Sequence, residues 1–411
     1  MKKCIYSMLM AVCSTAAFAT QTITITVSNP LNMNRQDVPI VVPLFPYGEV
    51  RSALVTIDGK EIPCQLDDLN QDETFDELCF LADLGKKAKQ QYQVTMYETG
   101  EPRPYPARVY AEMVMANTRD KSLKKHQQNN YIESITARGD AAYTYNLLHH
   151  HGVDFESELN GIRIYFDSRQ TLDPYGKFKK QLELKDTQFY TSDEHKALGY
   201  GDDVLWVGQT FGLGAFRGWD GQQPTLVEPV RTRTQRIISY GPLRSIVEVV
   251  DHGWQLPAMG DQSPTVVNMT LRYTQYAGHR DTDVDVFFNK DVTGCRFSTG
   301  IINVKGSEEF SDKKGLRACW GTDYPATDTL KWKRETVGLA VLIPQKNMFS
   351  EEPANKDNYA LVLKVDGNHM AYKVNYTSAN ETFGYHSAEE WFNYLTAWKR
   401  EVEQPVSVTI K

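Results

Sequence analysis

A period of two constrains this chain more than any other feature. From Gln21 the sequence runs Thr22, Ile23, Thr24, Ile25, Thr26, Val27, with polar and apolar residues on alternate positions, the signature of a half-buried strand. Strand-like runs recur at 38–44, 50–57, 62–66, 79–84 and 92–97, with Asp58-Gly59 placed as a hairpin turn. This predicts a small β-sandwich over 20–99. The segment Gly100-Glu101-Pro102-Arg103-Pro104-Tyr105-Pro106 has a proline at every second position and predicts a stiff linker at 100–106. Beyond it, strand patterns at 161–167, 231–239, 243–251, 266–275, 283–288, 340–343 and 359–365 predict one large β domain over 107–411. A short helix closes it: Ser387 can cap, Glu390 stands three residues on, and Trp391, Tyr394, Leu395, Trp398 and Val402 recur at helical spacing before Pro405. The fold class is therefore all-β.

Residues 1–19 read as a signal peptide, with Lys2 and Lys3 at a basic start, an apolar stretch to Phe18 and a small-residue site at Ala17-Phe18-Ala19. The expected location is periplasmic or secreted. No later apolar run approaches the length of a membrane span. Removing the leader leaves 43 basic against 52 acidic residues, a balance that excludes an extended nucleic-acid surface. No motif sets an oligomeric state. Cys64, Cys79, Cys295 and Cys319 survive processing. Nearest-neighbour bridges, Cys64 with Cys79 and Cys295 with Cys319, are expected in an oxidising compartment, and four buried thiols are the alternative.

Several strands combine one apolar face with one hydrogen-bonding face. Ile162, Ile164 and Phe166 alternate with Arg163, Tyr165 and Asp167, so a sheet could line a polar groove for a sugar. The densest chemistry lies at 149–167, where His149, His150 and His151 precede Glu156, Glu158, Arg163 and Tyr165. Removing a proton beside a carboxylate needs a base near neutral pKa, an acid for the departing oxygen and a fixed cation. Histidine, tyrosine and arginine suit those roles. If the triple histidine is extended, His149 and His151 share a face and His150 points away. A divalent metal on His149 and His151, with Glu156 or Glu158 as third ligand, is an alternative, and a structural hydrogen-bonded cluster is another. Arg231, Arg233 and Gln235 align on a strand, and a guanidinium fork suits a planar carboxylate; a salt-bridged strand is the plainer explanation. In 68–76, Asp68, Asn70 and Asp72 alternate as in a calcium loop, but Glu73 occupies the glycine position and Cys79 replaces the closing glutamate.

The blocks His150, Gly152, Glu156-Ser157-Glu158, Arg163, Tyr165-Phe166-Asp167, Arg169-Gln170-Thr171, Asp173 and Tyr175-Gly176-Lys177 resemble the secreted bacterial family known as domain of unknown function 4861. The blocks 183–188, 201–208 and 218–221 continue the likeness over nearly the whole mature chain. The resemblance implies a galactose-mutarotase-like β supersandwich and a place among polysaccharide-degrading systems, one branch of which removes water from a terminal uronic acid. The family's acidic loop carries glycines that 68–76 lacks.

The leading expectation is an exported enzyme acting on acidic oligosaccharides by β-elimination, as an oligosaccharide dehydratase or exo-lyase. Arg163 and Arg233 would hold the uronate, His150 or His151 would take the C5 proton, and Tyr165 would protonate the departing oxygen. Glu156, Glu158, Lys177, Trp206, Arg231 and His252 complete the candidate substrate contacts. No cofactor is expected, with a divalent metal as the alternative. A glycoside hydrolase or a non-catalytic glycan-binding module are the rivals. Export makes a direct prediction: intact mass of the periplasmic protein should correspond to a chain beginning at Thr20, and an unprocessed mass would refute the leader.

Overall fold

A computed structural model describes residues 19–117, 122–257 and 265–411; residues 1–18 of the expected leader lie outside the described residues. The opening alternation forms the strand Ala19–Ser28, with Ile23, Ile25 and Val27 buried. It belongs to a five-stranded antiparallel sheet that faces a three-stranded sheet of Arg35–Pro43, Glu77–Leu84 and Cys64–Asp67. Val38, Ile40, Val42, Phe80 and Val94 meet between them. Asp58 and Gly59 both take positive φ, +51° and +73°, as a two-residue hairpin turn requires. The C-terminal strand Ser407–Ile410 pairs with Ala19–Ser28, Ile410 opposite Ile25. The expected boundary at 100–106 therefore leaves this last strand with the wrong body.

The large body is a supersandwich. A nine-stranded antiparallel sheet, from Ser134–Arg138 at one edge to Glu308–Ser311 at the other, packs against two five-stranded sheets over one continuous apolar core. The helix Ala388–Glu403 lies on the outer face of the nine-stranded sheet, with Trp391, Leu395 and Trp398 against Leu316, Ala318, Ala340 and Leu342. Ser387 accepts the Glu390 N–H at 3.2 Å, the expected cap. No helix among the described residues is long and apolar enough to cross a membrane.

Polar contacts join the two bodies. Arg108 donates to Asp37 at 2.6 and 3.0 Å and to Glu158 at 2.7 Å, while Arg244 pairs with Asp67 and Glu77, each at 2.7 Å. Gln65 donates to Ser239 and to the Arg244 carbonyl at 2.8 and 2.9 Å. Glu158, expected at the substrate, is thus a junction residue.

The expected disulfides are absent: the four cysteines among the described residues are free thiols. Cys64 pairs in register with Phe80 and Gln65 with Cys79, so Cys64 and Cys79 point to opposite faces of one sheet and their sulfurs cannot meet. Burial pushes the Cys64 thiol up to about 11 and those of Cys79 and Cys319 up to about 12. In native buffer an alkylating reagent should modify the half-buried Cys295 first and the other three only on unfolding. Four adducts per chain in denaturant without reductant would confirm this by mass; fewer would restore a bridge.

Candidate functional site

One five-stranded sheet of the large body has two unlike faces. Its main strands are Val109–Glu112, Gly152–Ser157, Gly161–Tyr165 and Leu172–Gly176. Ala111, Val153, Phe155, Ile162, Ile164 and Leu172 enter the core. The alternate residues face the other way, and antiparallel register aligns them into rows. Glu112 lies opposite Asp154, Asp154 opposite Arg163, and Arg163 opposite Asp173. The next row is Tyr110, Glu156, Gly161, Tyr175 and Asp203.

This charged face is buried beneath two segments. Leu184 and Phe189 pack on Tyr175, with Tyr110 against the same cluster, and the Gln188 side chain donates to the Gln128 carbonyl at 2.8 Å and accepts its N–H at 2.9 Å. Glu156 anchors the cover by accepting the N–H groups of Glu183 and Leu184 at 2.8 Å, the start of the helix Leu184–Thr187. Lys177 pairs with Glu156 at 2.5 Å and donates to the carbonyls of Ser157 and Gln181 at 2.7 and 2.6 Å. Glu156 and Lys177, both expected to touch substrate, are fully engaged with the protein instead.

Arg163 donates to Asp173 at 3.0 and 2.7 Å, lies 3.5 Å from Asp203, and stacks 4.2 Å over the Phe189 ring. Burial opposes its charge, but Asp173, Tyr165 and Asp203 outweigh that and hold its pKa well above the usual value. With two carboxylates already on it, Arg163 is not free to clamp a third. It donates to the Tyr165 oxygen at 3.1 Å, and the Tyr165 hydroxyl donates to Asp173 at 3.2 Å. Burial and Asp173 raise the Tyr165 phenol above its ordinary range.

The three histidines form a turn rather than a strand. His151 takes φ +71°, a left-handed conformation uncommon for residues other than glycine. Gly152 follows because a Cβ there would lie 1.6 Å from the Ile164 carbonyl oxygen. The turn sends His149 and His151 into an open cavity of about 400 Å³ shared with Lys125, Asn146 and Tyr190. His151 stacks on Tyr165, ring centroids 5.9 Å apart and planes 9° from parallel. Burial and Arg163 depress the His151 pKa to about 4, leaving the imidazole neutral and a weaker base than a free one. Lys125 sits 4.2 Å over the Tyr190 ring and is exposed.

His150 points the other way. It is fully buried, its Nε2 3.6 Å from Asp154 and 3.8 Å from Glu112, and it cannot reach a ligand in the cavity. Arg233 is also buried, on the nine-stranded sheet, donating to Asp251 at 2.8 Å and to the Val227 carbonyl at 2.5 Å. Its expected clamp role has no accessible guanidinium behind it. Arg231 is exposed just before that strand, and His252 is half-buried with its carbonyl accepting the Arg231 N–H at 2.7 Å. Trp206, 51% exposed, lines a separate hollow of about 720 Å³ with Lys305 and Tyr324. In 68–76 the oxygens of Asp68, Asn70 and Asp72 accept N–H groups of their own loop at 2.6–3.2 Å, which makes an Asx-turn hairpin.

Sequence reasoning missed Glu112, although Tyr110 and Glu112 alternate with Val109 and Ala111 and carried the needed signal. Lys125 and Asn146 lie in single 3-10 turns and Tyr190 in a loop, segments too short to leave a periodic trace.

The architecture and site define a supersandwich protein with a histidine- and tyrosine-lined cavity. The chain belongs to the family DUF4861, a domain of unknown function, whose model matches residues 27–408. No curated protein matches it significantly. Among solved structures, it is similar to an alpha-mannosidase from Enterococcus faecalis V583, at 9% identity and TM-score 0.49, over 97% of this chain and 47% of that one. It is also similar to a protein in the Glycosyl Hydrolase Family 38 from Enterococcus faecalis, at 9% identity and TM-score 0.50, over 95% and 47%. The chain thus spans about half the length of these structures, and the likeness is one of fold.

The buried Glu156–Lys177 pair generates a stability prediction. Glu156→Gln leaves Lys177 charged, buried and without its counter-ion, a change that typically costs about 3–5 kcal/mol. Chemical denaturation should show this loss; a shift under about 1 kcal/mol, the level of an exposed pair, would contradict the structural role.

Proposed function

We propose that this protein is an exported carbohydrate-active enzyme that cleaves a C–O bond of uronic-acid-containing oligosaccharides by β-elimination, as an oligosaccharide dehydratase or exo-lyase. The observation that carries the proposal is the His151–Tyr165 stack beside Lys125. An imidazole and an exposed cation line one cavity, and the Tyr165 ring lies directly against that imidazole.

In this reading the uronate carboxylate lies near Lys125, whose ammonium balances the negative charge that spreads into the carboxylate as the C5 proton leaves. His151 takes that proton, with His149 beside it on the same wall. Electrons from the C5–H bond form the C4=C5 double bond as the C4–O bond breaks, and Tyr165 protonates the departing oxygen. Water departs in the dehydratase case and a sugar hydroxyl in the lyase case. Arg163 acts through Tyr165 as a positioning residue, since its N–H on the phenol oxygen stabilises the phenolate left after transfer. Trp206 is a candidate for stacking on more distant sugar units of a longer chain. The fold shared with a Glycosyl Hydrolase Family 38 protein is in keeping with a sugar ligand. A hydrolase using Glu156 and Glu158 loses support, because Lys177 and Arg108 already occupy them.

The test follows the ultraviolet absorbance of the new double bond conjugated with the carboxylate. Tyr165→Phe should lower turnover by on the order of 10² or more while ligand affinity changes by less than about 1.4 kcal/mol. His151→Gln should be comparably severe. Lys125→Ala should weaken acidic oligosaccharides and spare their neutral, carboxyl-reduced counterparts. Full turnover in Tyr165→Phe and His151→Gln would remove the stack from the reaction, and binding without turnover in the wild type would make the protein a glycan-binding module.

A further inference from the structure

Beneath the cavity wall, Glu112, His150 and Asp154 face one another, each no more than 2% exposed, with one donor atom from each lying within 4.8 Å of the other two. Both ring nitrogens of His150, both oxygens of Asp154 and Oε1 of Glu112 are buried without a hydrogen-bond partner. Glu112 Oε2 alone is served, by the Tyr110 hydroxyl at 2.8 Å. Leaving a buried polar atom unpaired is costly, so five in one buried cluster require an explanation, and one atom from each of the three residues can face a common point.

Shared protons do not supply it. The separations of 3.6 Å from His150 Nε2 to Asp154 and 3.8 Å to Glu112 exceed hydrogen-bond length. They are close to the spacing of roughly 3.4 Å between tetrahedral ligands that each lie about 2.1 Å from one ion. Charge points the same way. In the row Glu112, Asp154, Arg163, Asp173, the guanidinium bonds to Asp173 and makes no hydrogen bond to Asp154, and Lys177 serves Glu156. Two carboxylates are left without a cation, and one divalent ion would balance both.

We propose that Glu112, His150 and Asp154 bind a divalent first-row metal ion, with one imidazole nitrogen and carboxylate oxygens as its protein ligands. This donor set suits Zn2+ or Mn2+ better than an all-oxygen cage would. It replaces the set read from the sequence, since His149 and His151 turn away into the cavity. The site lies one strand from Arg163 and stands independently of the elimination chemistry: a bound ion would fix the His turn from behind whatever reaction the cavity supports.

The experiment measures metal content of the full chain after expression in medium supplemented with Zn2+ or Mn2+ and gel filtration. About one ion per chain is expected, with thermal stability falling when the ion is stripped and returning when Zn2+ or Mn2+ is added back. X-ray absorption of the zinc form should show imidazole nitrogen and oxygen ligands and no sulfur. His150→Gln and Asp154→Asn should lower metal content to background, while His149→Gln and His151→Gln should retain it. Wild-type protein that takes up neither ion would overturn the proposal, a result that does not depend on whether any variant folds. Uptake that survives both His150→Gln and Asp154→Asn would overturn it equally, by placing the metal elsewhere.

Discussion

The Arg163–Asp173 ion pair holds the polar side of the large body together. Charges this deeply buried are tolerated only when each has its partner, and removing one partner of such a pair typically costs several kcal/mol. Once the pair is made, a sheet can bury both of its faces, one in the core and one beneath the 184–190 cover. Tyr165 is then fixed by hydrogen bonds from two directions, and the His151 ring has a flat partner to lie against. Chemistry at the cavity edge rests on charge balance several ångströms behind it.

The faces of individual strands were legible in the sequence because period two survives any sheet topology. Ile162 and Ile164 against Arg163 and Tyr165 could be sorted without coordinates, and the helix at 388–403 announced itself through its cap and aromatic spacing. Rows across strands were not legible, since they depend on register: nothing local to Glu112 says that it will lie opposite Asp154. The same limit explains Arg233. Alternation correctly placed it on one face with Gln235, but that face turns inward, where Asp251 waits on the adjacent strand. Spacing also could not say that Glu156 would be consumed by Lys177, because that pairing is made by the fold of the cover.

The division of labour among the acidic residues follows from solvent access. Glu158 and Asp37 share Arg108 at the junction of the bodies, Glu156 anchors the cover, Asp173 and Asp203 hold Arg163, and Glu112 and Asp154 converge on His150. Seven carboxylates thus divide four tasks. Sequence proximity within 149–167 made Asp154, Glu156 and Glu158 look like one site; Asp154 and Glu156 even share a face of their strand, and it is their different partners that separate them.

The pairing of Ser407–Ile410 with Ala19–Ser28 ties the order of synthesis to the order of assembly. The first sandwich receives its edge strand only after the whole large body has been made, and contacts of such long range form slowly. Until then Ala19–Ser28 presents an unpaired row of backbone groups, the kind of edge that recruits foreign strands. Pairing with Ser407–Ile410 covers that edge, so a strand from the far side of the large body in sequence shields Ala19–Ser28 from foreign pairing.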